Sequence, residues 1–149
     1  MDLILWRHAE AEDGVPDAAR VLTDKGAKQA KKMAKWLKAR LPENYRIIVS
    51  PARRAQQTAQ ALDANYVTVK EIGARSSAKA LLVAAGWPDA QGTVVIVGHQ
   101  PTLGQTAALL MCGTEAGWSI KKGAIWWLAS RQHDETQVVL RAVISSDML

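Results

Sequence analysis

The chain has 149 residues, 48% of them hydrophobic and 22% charged; this is the make-up of a single globular domain over residues 1–149 and excludes a disordered chain. One cysteine, Cys112, excludes an internal disulfide and a CxxC metal clip, and no apolar run approaches the ~18 residues a spanning helix needs. The net charge of +5 raises nucleic acid as a partner, so the placement of the cations has to decide.

Leu3, Ile4, Leu5 and Trp6 form a short apolar run without helical period, which predicts a buried strand. It stops at Arg7 and His8. In an open α/β sheet, ligands bind beyond the carboxyl ends of the strands, and this pair joins a fork of donors to a group that is nucleophile or proton carrier near neutral pH. The start of the chain, with Asp2, does not resemble a secretory leader, and the expected compartment is the cytoplasm. Residues 9–22 read as a polar loop broken by Gly14 and Pro16, with Arg20 near its end. Thr23 is an N-cap with Gly26 at N3, and the helix runs to about Leu41 before Pro42. Its apolar stripe is Ala27, Ala30, Met33, Ala34, Leu37 and Leu41.

Lys28, Lys31, Lys32, Lys35 and Lys38 recur at three- and four-residue spacing on this helix and line one face. No aromatics interleave, so the pattern reads as a solvated face or as a docking surface for an acidic protein, and not as a nucleic-acid site. Arg46–Val49 is a second strand, running into SPARRAQQTAQAL. Ser50 is expected to cap the next helix with Pro51 at N1. Arg53 and Arg54 lie early in that helix, which continues through Ala55, Thr58, Ala59 and Leu62. Residues 66–69 are a weaker strand. Ser76 or Ser77 caps a helix to Ala85, ended by Gly86. Thr93–Val97, the most apolar strand, leads into Gly98 and His99. A helix from Thr102 to Cys112 follows, with Cys112 as a small core residue. Strands Ala124–Ala129 and Thr136–Val143 close the chain around a polar turn containing His133. Glu10 and Glu12 either orient an arginine or are solvated.

Alternating strands and helices predict an α/β, three-layer sandwich: a mainly parallel mixed sheet with helices on both faces. The strands ending at Arg7–His8, at Ser50 and at Gly98–His99 then share one edge. Two histidines and at least two arginines converge there on a phosphoryl group, with a helix N-terminus beside them. The sequence carries no HExxH, no Walker loop and no Asp cluster, so no metal and no cofactor are expected, and a histidine nucleophile splits the transfer into two steps.

RHAEAE, RVLTDKGAKQA, SPARRAQQTA and VGHQP, in this order, resemble the histidine phosphatase superfamily, and within it the small SixA-type phosphohistidine phosphatases. The resemblance implies a phosphoglycerate mutase-like fold, His8 as nucleophile, and Arg7, Arg54 and His99 as phosphoryl ligands with Arg20 as support. In the family pattern SPxxRxxQT the arginine falls on Arg54 and leaves Arg53 at the surface or behind the site. The residue after Arg-His is commonly Gly in that family and is Ala9 here. The implied activity is a metal-independent phosphatase acting on phosphohistidine in a protein. Small phosphate esters are the alternative substrates, and a phosphate-binding module without turnover is the third reading. An ester leaving group needs a proton donor, for which Glu71, at a strand end, is the candidate acid. About forty residues separate Thr58 from His99, too few for a strand, a helix and a lid. The sequence is silent on oligomeric state.

Overall fold

The apolar runs become the middle of one sheet, buried on both faces. The computed structural model describes residues 1–131 and 134–149, without the side chains of 134–136; His133 lies outside the described residues. The strands are β1 (Asp2–Arg7), β2 (Tyr45–Val49), β3 (Val67–Thr68), β4 (Thr93–Gly98), β5 (Ile125–Arg131) and β6 (Asp134–Ile144). The helices are α1 (Asp24–Lys38), α2 (Arg53–Gln60), α3 (Ala78–Ala85) and α4 (Thr102–Cys112). The sheet has six strands in the order β3-β2-β4-β1-β5-β6. β1 to β4 run parallel, while β5 is antiparallel to β1 and β6 to β5, so the expected mixed edge is the closing pair.

The alternation of side chains along β1 explains the three layers. Ile4 and Trp6 face a cluster with Met33, Leu37, Ala55, Ala59 and Val95, which covers one face with α1 and α2. Leu3 and Leu5 face Leu81, Ala85, Leu103, Ala107 and Ile96, which covers the other with α3 and α4. Trp126 and Trp127 split between the same two faces. No helix among the described residues is long and apolar enough to cross a membrane.

Five local expectations change. The buried stripe of α1 is Gly26, Ala30, Met33, Ala34 and Leu37, with Ala27 exposed. A Cβ on Gly26 would stand 1.9 Å from the Glu10 carbonyl oxygen, so only glycine lets the first turn of α1 sit on the loop that leaves His8. α1 ends at Lys38, after which Arg40 and Leu41 turn back onto the Leu37 carbonyl. Ser50 is not the N-cap of α2: its N–H donates to the Val97 carbonyl, 3.0 Å, so it still belongs to the sheet ladder, and the helix begins after Ala52. α2 stops at Gln60, before Leu62, and Cys112 is exposed at the end of α4 instead of lying in the core.

Candidate active site

β4 lies between β1 and β2, and that order alone brings three distant stretches together. Arg7 pairs with Gly98, and Val49 with Val97. One residue further, the ladder still holds: the His8 N–H donates to the Gly98 carbonyl at 3.0 Å, as Ser50 does to Val97. The nucleophile candidate is therefore pinned by backbone, at the carboxyl edge of the sheet.

The chain at 120–124 brackets Arg7 and His8 from the other side. The Gly123 N–H donates to the His8 carbonyl at 3.0 Å, and the Trp6 indole N–H to the Gly123 carbonyl at 3.0 Å. Gly123 has φ +75°, a conformation that favours glycine. Arg7 spends Nη1 on the Ile120 carbonyl at 2.8 Å, whereas its Nε is buried with no partner. A buried N–H left open at this edge is a donor for an oxyanion.

The partners of the two imidazoles fix their tautomers. His8 Nδ1 lies 2.8 Å from the Ala9 carbonyl, which only accepts, so Nδ1 carries the proton. His8 Nε2 then presents its lone pair, and Arg54 Nε donates to it across 3.4 Å. His99 Nδ1 lies 3.4 Å from Arg54 Nη2, which only donates, so the proton of His99 sits on Nε2 and goes to Ser50 Oγ at 2.7 Å. Arg54, only 4% exposed, stands between the two rings, whose centroids are 5.2 Å apart. Burial, with the nearby charges of His99, Arg54 and Arg7, outweighs the hydrogen bond to Ala9 and lowers the His8 pKa from 6.5 to about 3. Burial and the Arg54 and Arg7 charges lower His99 to about 4, against the opposing pull of Asp17. Both rings are neutral near pH 7 and unprotonated at the nitrogens facing Arg54.

Three residues to which sequence analysis assigned no part in holding the histidines or Arg54 support this cluster. Thr58 Oγ1 accepts from the Ala9 N–H at 3.0 Å and donates to the Arg54 carbonyl at 2.8 Å, tying the two halves of the site. Ser50 holds His99. Asp17, in a turn of the 9–22 loop, meets Arg54 with its carbonyl at 2.9 Å and its carboxylate at 3.1 Å. The hydrogen bonds of Arg20 and Arg54 keep that carboxyl below its ordinary range, so it is ionised and not an acid near neutral pH.

Arg20 stands one step back from the crevice. Its Nε is spent on the Glu12 carbonyl at 2.6 Å and its Nη1 on the Asp17 carboxylate at 3.1 Å, so it acts on Arg54 through Asp17. Arg53 is exposed, one residue away from Arg54 and on a different side of α2. Glu10 accepts from Thr23 Oγ1 at 2.8 Å and braces the start of α1 instead of orienting an arginine. Glu71 is exposed, in a single 3-10 turn at Lys70–Ile72, and lines a hollow with Asp17 and Arg75. Among the described residues no group of three or more His, Cys, Asp or Glu could hold a metal ion.

Comparison with known proteins bears on the fold and the family. The family model for the histidine phosphatase superfamily (branch 1) matches residues 3–73. The phosphohistidine phosphatase SixA of Escherichia coli is 41% identical over 59 residues, 39% of this chain and 37% of that protein. The aligned part thus spans little more than a third of that relative. An uncharacterised protein of Picosynechococcus is 34% identical over 143 residues, covering 87% of this chain and 86% of its own. The solved structure of the protein histidine phosphatase SixA complexed with tungstate superposes with a TM-score of 0.81 at 24% identity, covering 99% of both chains. The three-layer sandwich is the phosphoglycerate mutase-like fold, and the chain belongs to the histidine phosphatase superfamily.

Proposed function

We propose that this single-domain chain is a phosphatase that takes a phosphoryl group onto His8 and releases it to water, with phosphohistidine in a cytoplasmic protein as substrate. The observation that carries this reading is the bare Nε2 of His8, held toward Arg54 by a backbone-locked Nδ1–H. In the first step Nε2 attacks phosphorus in line. The new N–P bond forms as the substrate's P–N bond breaks, and the leaving imidazole takes the electron pair and then a proton. In the second step water attacks the phosphoryl group on Nε2, its proton is lost, inorganic phosphate leaves and the lone pair of His8 returns. Arg54 and the open Nε of Arg7 are aimed at the oxygens where negative charge accumulates. His99 joins them once an arriving anion restores its affinity for a second proton.

Imidazole leaves readily, so this substrate makes small demand on a proton donor. A second reading, small phosphate esters, is favoured by the hollow of about 450 Å³ that Glu71 shares with Asp17, Lys70 and Arg75, which has the size of a small ligand and an acid at its wall. The deciding experiment compares kcat/KM for a phosphohistidine-bearing protein with a panel of sugar phosphates, with and without chelator. Preference for the phosphohistidine, undiminished by EDTA, and an acid-labile phosphate trapped on His8 are expected. Preference for a sugar phosphate overturns the substrate, loss with EDTA overturns the metal-free chemistry, and turnover by His8→Ala overturns the nucleophile. Tight phosphate binding without any turnover leaves a binding module.

A further inference from the structure

The lysines that sequence spacing assigns to one face of α1 divide by what they border. Lys25, Lys28 and Lys32 turn toward the 121–122 segment, where with Lys121 and Lys122 they line a hollow of about 520 Å³. Lys31, Lys35 and Lys38 are exposed on the same helix but form no part of it. Two carboxylates face these five ammonium groups, and both are engaged. Asp147 pairs with Lys121 at 3.3 Å, and Glu10 accepts from Thr23. Among the described residues no ion pair holds Lys25, Lys28, Lys32 or Lys122. Five ammonium groups against these two carboxylates leave the hollow a net positive field.

It also adjoins the crevice. Glu10, in its wall, is two residues beyond His8, a span of at most roughly 7 Å of chain. Lys122 precedes Gly123, whose N–H holds the His8 carbonyl at 3.0 Å. No aromatic side chain lines it, so it has no platform for a nucleic-acid base. Flexible ammonium groups around an open hollow suit carboxylates on another protein.

We infer that this hollow docks acidic side chains flanking the phosphohistidine of the substrate protein; the inference rests on the phosphohistidine reading above. Two phosphohistidine peptides test it, one flanked by glutamates and one by serines. They are assayed with wild type, with Lys28→Glu/Lys32→Glu in the hollow, and with Lys31→Glu/Lys35→Glu, an equal charge change on the same helix outside it. At low salt the wild type should favour the glutamate peptide about ten-fold in kcat/KM. The Lys28/Lys32 variant should lose that preference, the Lys31/Lys35 variant should keep most of it, and an aryl phosphate should be turned over equally by all three. Fluorescence anisotropy of the unphosphorylated glutamate peptide gives a readout without turnover, with binding weakened only in the Lys28/Lys32 variant. Equal losses in both variants, no preference in the wild type, or no binding of the glutamate peptide overturns the docking site. Tighter Lys28/Lys32-dependent binding of an oligonucleotide overturns the class of partner. Glutamate-peptide binding without hydrolysis of either phosphopeptide overturns the substrate reading instead.

Discussion

Acidification should destabilise the unliganded protein through His8 and His99, and an oxyanion should reverse the effect. In the native state the two rings titrate at about 3 and about 4, because they are buried beside Arg54 and Arg7. In the unfolded chain both titrate near 6.5. Below pH 6.5 the unfolded state therefore holds more protons than the native state, and stability falls as pH falls, until the native rings titrate in turn. At pH 5 each unfolded imidazole gains roughly 2 kcal/mol that its native counterpart does not, or about 4 kcal/mol for the pair. For a chain of this length that lowers Tm by on the order of 10 °C. The assay is thermal unfolding at pH 7.5 and pH 5, at constant ionic strength, for wild type, His8→Asn and His99→Asn. Each variant should lose about half of the drop. The carboxylate of Asp17, whose pKa is depressed, also loses stability as pH falls, but it does so in all three proteins and cancels. Tungstate, if it binds where the proposed function puts the phosphoryl group, brings negative charge to both rings, should raise their pKa and should restore much of the Tm at pH 5. An identical drop in wild type and both variants would refute neutral histidines in the native site.

Arg54→Ala should lower kcat on the order of 10²-fold, the loss of one transition-state donor, while Arg53→Ala, exposed on another side of α2, leaves it near wild type; equal losses in steady-state kinetics would show that the wrong arginine faces the crevice. Thr58→Val keeps the shape of a fully buried side chain but leaves the Ala9 N–H unpaired, at a cost of about 1–3 kcal/mol in urea unfolding. Its kcat should fall as well, because the Ala9 carbonyl holds His8 Nδ1; unchanged stability and rate would remove Thr58 from the scaffold.

The sheet was legible because its central strands are short, unbroken apolar runs, and each ends in residues with chemistry. The order of those strands was not legible. That β4 inserts between β1 and β2, setting His99 beside Arg54 and His8, depends on packing two helices on each face, which no local pattern encodes. Ser50 shows the limit of local signals. A serine before a proline at a strand–helix junction reads as an N-cap, yet its hydroxyl is drawn to His99, and its neighbours turn the chain for two more residues. Thr58 left one faint trace, a hydroxyl among the alanines of a buried stripe. Asp17 left none, since nothing in a polar loop tells which carboxylate reaches Arg54. Lysines on one helix looked like one face, but Lys31 and Lys32 stand about 100° apart and Lys35 lies two turns beyond Lys28, and only the neighbouring 121–122 segment makes the difference matter.

Asp17 also bears on how the resting site tolerates its own charge. Arg54 is almost fully buried, and a buried guanidinium without a counter-ion is costly. A buried carboxylate would compensate it fully and would compete with a phosphoryl group for the same fork. Asp17 instead reaches Arg54 from outside, its side chain 60% exposed while that of Arg54 is 5% exposed. An ion pair with so exposed a partner is worth up to about 1 kcal/mol. On the proposed function a dianionic phosphoryl group would meet Arg54, the free Nε of Arg7 and a His99 ring ready to gain a second proton, and would displace so weak a partner. The neutral histidines follow the same logic. Two imidazolium rings beside two guanidinium groups would repel one another in the resting site, whereas a neutral His8 keeps the Nε2 lone pair that the proposed attack requires. Positive charge then accumulates with the arrival of the anion that needs it.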